Sequence, residues 1–64
     1  MERNNLKDFR KSINKSQIEM AQILEITVSF YIKLELGLRN PSLKTIKKFK
    51  NAFPTANVEK IFLI

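Results

Sequence analysis

The side chains of this chain that can do chemistry are mostly cations. Its 64 residues carry twelve Lys and Arg against six Asp and Glu, a formal net charge of +6. The sequence pI is about 10.0. The acids, Glu2, Asp8, Glu19, Glu25, Glu35 and Glu59, are scattered, and no two form an obvious acid–base pair. There is no histidine and no cysteine. The usual zinc ligand and general base are therefore missing, as are the thiol nucleophile and the Ser–His or Cys–His pair. An enzyme is not expected, nor is a metal, a cofactor or a small-molecule ligand. Cations without acid–base partners are suited to holding anions, and a charge of this size speaks to partners rather than to fold. Nucleic acid comes first among those partners, an acidic membrane surface second, and plain solubility third.

Such side chains act together only when rigid elements hold them. The length is that of one domain, residues 1–64. A chain this short buries only about 60% of its unfolded surface, so a partner subunit would help it. Without cysteine, no disulfide can brace it. No apolar run approaches the ~18 residues of a membrane span, and Met1-Glu-Arg-Asn-Asn lacks the apolar stretch of a signal peptide. A cytoplasmic protein with no membrane partner is expected.

Apolar residues recur at helical spacing, and one Gly and two Pro leave few breaks. A first helix starts near Asn4 or Asn5, either of which can cap it, with Leu6, Phe9 and Ile13 inward. Asn14-Lys15 breaks it. Ser16 caps a second helix, Glu19 completes a capping box, and Met20, Ala21 and Leu24 face the core. Thr27 caps a third helix running to Leu36, which Gly37 stops. After Arg39-Asn40-Pro41, Ser42 caps a fourth helix with Leu43, Ile46, Phe49 and Phe53 on one side. Pro54-Thr55 ends that helix and opens a short fifth one to about Leu63. The expected fold is all-α, a compact bundle of five short helices. Phe9, Phe30, Tyr31, Phe49, Phe53 and Phe62 read as core at this spacing rather than as a stacking platform for single strands.

Three blocks in this frame carry a resemblance. Ser16-Gln17-x-x-Met20-Ala21-x-x-Leu24 is similar to the first motif helix of the lambda-repressor-like (Cro-type, XRE) helix-turn-helix family. Ile26-Thr27 resembles its turn and the cap of its recognition helix. Lys33-Leu34-Glu35-x-Gly37-x-Arg39-Asn40-Pro41-Ser42 is similar to the segment that follows. Their order and spacing match the family over about residues 6–62. The resemblance implies a sequence-specific regulator of transcription bound to double-stranded DNA, a repressor of the kind found in phages and mobile elements. Its recognition helix, about residues 27–36, would lie in the major groove. Residue chemistry agrees: small Ala21 lets two short helices cross closely, and Gln17 sits at a helix N-terminus, where amides and dipole favour phosphate.

By family position, Val28, Ser29 and Lys33 read bases, with Ile32 on the same face. Apolar side chains can meet thymine methyls, and Lys33 can reach guanine O6 and N7. Phosphate contacts are expected from Gln17, Thr27, Arg39, Asn40, Ser42 and Lys44; such contacts fix register without reading sequence. The family pairs an arginine of the first helix with a glutamate late in the third. Arg10 and Glu35 match, and they are expected as a structural ion pair, with Arg10 also placed near phosphate.

The chain departs from the family in two places. Glu25 stands where the family has glycine, a position that favours positive φ. Val28, Ile32 and Leu36 also make a second apolar stripe on the third helix. That stripe leaves open an alternative, an antitoxin-like or adaptor module of the same fold that holds a protein partner. Lys44, Lys47, Lys48 and Lys50 read as a solvated basic face, of which Lys44 alone is a reasonable DNA contact. At the C-terminus, Ile61-Phe62-Leu63-Ile64 sweep about 300° of a helix, too much for one small core. A homodimer interface built on Val58, Ile61, Phe62 and Ile64 is expected, giving two recognition helices one DNA turn apart. Ile18 and Ile23 are weaker candidates for protein contact.

Overall fold

A computed structural model describes residues 4–63. Five helices follow in order: α1 (Asn4–Ser12), α2 (Gln17–Leu24), α3 (Val28–Glu35), α4 (Leu43–Ala52) and α5 (Val58–Phe62). No strand occurs among the described residues. No helix among them is long and apolar enough to cross a membrane.

Each start has a local chemical cause. Ser16 Oγ accepts from the Glu19 amide at 3.0 Å, and the Ser16 amide donates to Glu19 Oε1 at 2.8 Å, which closes the capping box. The Thr27 hydroxyl accepts from the Phe30 amide, Ser42 from Thr45, and Asn57 from Lys60. The ends are equally local. Helices α1, α2 and α3 each stop at a left-handed residue, Asn14, Glu25 and Gly37, with φ of 57°, 57° and 74°. Behind each stop two amides turn back to orphan carbonyls. At Gly37 they are Gly37 N–H to Leu34 O and Leu38 N–H to Lys33 O, at 3.2 and 3.0 Å. Glu25 thus takes up the positive φ that its position demands of a glycine.

The core joins Leu6 of α1, Met20, Ala21 and Leu24 of α2, Tyr31 and Leu34 of α3, Phe49 of α4, and Val58, Ile61 and Phe62 of α5. Ala21 is buried, so α2 and α3 cross with little side-chain bulk between them. Phe49 sits at the centre of an aromatic cluster, its ring 5.4 Å from Phe9 and 5.1 Å from both Phe53 and Phe62. The tilted and edge-on contacts suit the ring quadrupoles.

Three expectations need correction. Leu43 does not face the core; it is 67% exposed, and Thr45 is buried instead. Thr45, Phe49 and Phe53 fall near one line at i, i+4, i+8, while Leu43, two residues before Thr45, points about 160° away from it. Burying Thr45 is tolerable because its hydroxyl lies 3.0 Å from Ser42 Oγ. The fifth helix does not open at Pro54-Thr55 either: Asn57 caps it, and it runs only from Val58 to Phe62. That shortness overturns the third expectation. Leu63 is already left-handed, so the helix ends at Phe62 and does not carry Leu63 round with Ile61 and Phe62. Val58, Ile61 and Phe62 are all within the chain's own core. They offer no surface for a homodimer interface, and Ile64 lies outside the described residues. Ile18 is exposed, whereas Ile23 is partly buried against the core.

Candidate nucleic-acid interface

Helix α3 has two faces with different fates. At 100° per residue, Phe30, Tyr31, Leu34 and Glu35 occupy one arc, and Val28, Ser29, Ile32, Lys33 and Leu36 occupy the complementary arc of about 140°. Tyr31, Leu34 and Glu35 are buried. On the other arc Ser29 and Lys33 are exposed, with Val28 at 39% and Leu36 at 43%. Ile32 is half-buried. Val28, Ser29, Ile32 and Lys33 therefore share one outward face, carried on a helix whose inner face is fixed in the core.

The fixing is done in part by a buried polar junction. Arg10 Nε donates to Glu35 Oε2 at 2.6 Å, and a second guanidinium nitrogen donates to Glu35 Oε1 at 3.4 Å. A third reaches the Lys15 carbonyl at 3.1 Å. Gln17 Nε2 donates to Glu35 Oε1 at 3.1 Å. The end of α1, the start of α2 and the end of α3 thus meet at one carboxylate. Burial alone would raise the Glu35 pKa, but the hydrogen bond from Arg10, the nearby Tyr31 hydroxyl and Gln17 outweigh it and hold the carboxyl below its ordinary range. The same bond raises Arg10 further, against the cost of its burial. Beside them the Tyr31 hydroxyl is buried without a hydrogen-bond partner. Its burial first, and then the adjacent Glu35 carboxylate, push its pKa well up, so it stays a neutral phenol.

This junction redirects two of the residues expected at phosphate. Arg10 is turned inward, its side chain only 12% exposed, so it is a tie between helices and not a phosphate contact. Gln17 gives its amide to Glu35, which leaves the backbone amides of the first turn of α2 as its local anion-attracting groups. The other expected contacts lie outward. Thr27, Arg39, Asn40, Ser42 and Lys44 are all exposed. Arg39 and Asn40 sit in the connection from Gly37 to α4, and Lys44 sits in the first turn of that helix. Thr27 and Ser42 also serve as caps, so each hydroxyl oxygen already accepts one backbone amide.

One interaction had no signal in the sequence. Lys48 Nζ lies 2.7 Å from Glu25 Oε2, joining the turn after α2 to α4 across 23 positions. That hydrogen bond, and then the Lys48 charge, lower the Glu25 pKa.

The helix-turn-helix family model matches residues 6–56, which takes in α1 from Leu6 and all of α2, α3 and α4. The chain is similar to a protein of Archaeoglobus fulgidus described as an uncharacterized HTH-type transcriptional regulator. The two are 36% identical over 61 residues, covering 95% of this chain and 84% of that protein. No solved structure gives a significant match.

Proposed function

The chain belongs to the XRE-type, lambda-repressor-like helix-turn-helix family, and from that premise we propose that it is a sequence-specific regulator of transcription that binds double-stranded DNA as a repressor. The observation that carries the reading is the outward face of α3. Val28, Ser29, Ile32 and Lys33 stand together there, on a helix locked from behind by Tyr31, Leu34 and Glu35. In this reading residues 1–64 are one DNA-binding domain, and α3 lies in the major groove. Lys33 donates to a guanine edge, Ser29 to a neighbouring edge or phosphate, and Val28 and Ile32 meet thymine methyls. Thr27, Arg39, Asn40, Ser42, Lys44 and the amides beginning at Gln17 hold the backbone. Binding by a homodimer suits half-sites one turn apart, through surfaces other than Val58, Ile61 and Phe62.

The test is selection from a random duplex pool at near-physiological salt. An enriched inverted repeat supports the reading, and uniform salt-sensitive binding refutes it. Lys33→Ala should relax preference at one or two base pairs, whereas Arg39→Ala should weaken binding to every sequence alike. Affinity should fall with salt at a slope of about −0.9 per neutralised phosphate. A second reading draws on the exposure of Val28 and Leu36, in which that face holds a protein. Ile32→Gln separates the two, because it retunes site preference in the first and abolishes partner binding in the second.

A further inference from the structure

Helix α4 carries a groove used neither by its core packing nor by the outward face of α3. Leu43, Lys47 and Asn51 form one row at i, i+4, i+8, and Lys44 and Lys48 form the row beside it. The five residues line an open groove of about 370 Å³. The rows run for about 12 Å, a little over two helical turns. Lys44 and Lys47 are exposed, Lys48 is half-buried, and no acid is among the lining residues. Leu43, at the N-terminal end, is 67% exposed. Rows spaced at i, i+4 with a furrow between them are the surface into which a second helix packs its own ridges.

Cations alone would suit any polyanion, duplex DNA included. Two features favour a protein. An exposed leucine gains by burial against apolar surface, which a phosphate backbone does not supply. Lys48 already has its charge met by Glu25 at 2.7 Å, which thins the positive field along one row. We infer that this groove docks an acidic amphipathic helix of another protein, about two turns long, which lays one apolar side chain on Leu43 and turns a carboxylate toward Lys47, leaving Lys44 to the DNA backbone. The mode is helix-in-groove recognition with electrostatic complementarity. It gives a DNA-bound regulator a second hand for a protein, on a helix distinct from the one that reads DNA.

The probe is a synthetic helical peptide of about 14 residues, four turns, with glutamates on one face and two leucines one heptad apart. It is titrated into the ¹⁵N-labelled full chain. Saturable amide shifts confined to residues 43–51 are expected. Leu43→Asp and Lys47→Glu should each weaken the peptide about tenfold or more. Lys50→Glu, on the same helix outside the groove, should leave the affinity unchanged. All three positions are exposed, and far-ultraviolet circular dichroism checks that the variants fold. Absence of saturable shifts overturns the inference, and so does equal weakening by Lys50→Glu or indifference to Leu43→Asp. Shifts at the amides of residues 47–51 on adding duplex DNA, with displacement of the peptide, also overturn it and assign the groove to phosphate. None of these variants touches a residue placed at the DNA, so loss of DNA binding and loss of peptide binding are read separately.

Discussion

Replacing Arg10 with methionine tests the buried junction that aims α3. In the native protein Glu35 is 6% exposed and is held by Arg10 and Gln17. Arg10→Met leaves a buried carboxylate with only the neutral Gln17 amide and Tyr31 hydroxyl near it, and breaking such a pair costs about 3–5 kcal/mol. Protonation sets a ceiling on that loss. From the ordinary Glu value of 4.5 to pH 7 is about 2.5 units, and at about 1.36 kcal/mol per unit a proton costs about 3.4 kcal/mol. At pH 5 the same route costs only about 0.7 kcal/mol. The variant should therefore be weaker by about 3 kcal/mol at pH 7 and by about 1 kcal/mol at pH 5. A domain of this length has about 3–10 kcal/mol in all, so the variant is near unfolding at neutral pH. The signs are opposite in the two proteins. With Arg10 present the folded Glu35 value is depressed, so its contribution is full above the unfolded value and is lost as pH falls through the folded one. In the variant the folded value is raised, and stability falls as pH rises above 4.5. Urea unfolding at pH 5 and pH 7, followed by circular dichroism, measures both. Adding Glu35→Gln to the variant should remove the pH dependence. A loss below about 1 kcal/mol that is the same at both pH values would refute the account of this junction.

Other outcomes can be checked with the same melts. Tyr31→Phe removes a buried hydroxyl that has no partner, so stability should hold or rise by up to about 1 kcal/mol; a clear loss would mean the hydroxyl is bonded in solution. Glu25→Gly should melt above Glu25→Ala, since both lose the Lys48 contact while only glycine relieves the left-handed backbone. Ser42→Ala should cost about 1–2 kcal/mol, one helix cap plus a partner of the buried Thr45 hydroxyl. A loss no larger than that of an ordinary exposed substitution would count against the cap.

The parts legible in the sequence are those whose cause lies within a few residues. Ser16 with Glu19, Thr27, Ser42 and Gly37 announce helix boundaries because the groups they satisfy are three or four positions away. The inner face of α3 was readable because Tyr31 and Leu34 repeat at helical spacing. Arg10 and Glu35 are 25 positions apart, and only the family resemblance joined them. What failed depended on phase or on length. Leu43 is apolar and one turn before Ile46, yet Thr45, one turn before Phe49, takes the inward place. The C-terminal apolar run is too wide for one core only if the helix continues through Leu63, where the backbone turns left-handed. Glu25 with Lys48 was invisible, since no local rule links a turn to a helix 23 positions on.

The left-handed stops at Asn14, Glu25 and Gly37 bear on how this chain reaches its structure in time. Each closes its helix through amides and carbonyls no more than six residues apart, so the boundary can form before any tertiary contact exists. The caps at Ser16, Thr27, Ser42 and Asn57 act over the same short range. The conformational search is then reduced to docking short pieces whose limits are already drawn, joined by connections too short to stray. Folding in the microsecond to millisecond range is the rate such local topology sets. The junction at Glu35, which joins three of those pieces at once, can close only after they have met.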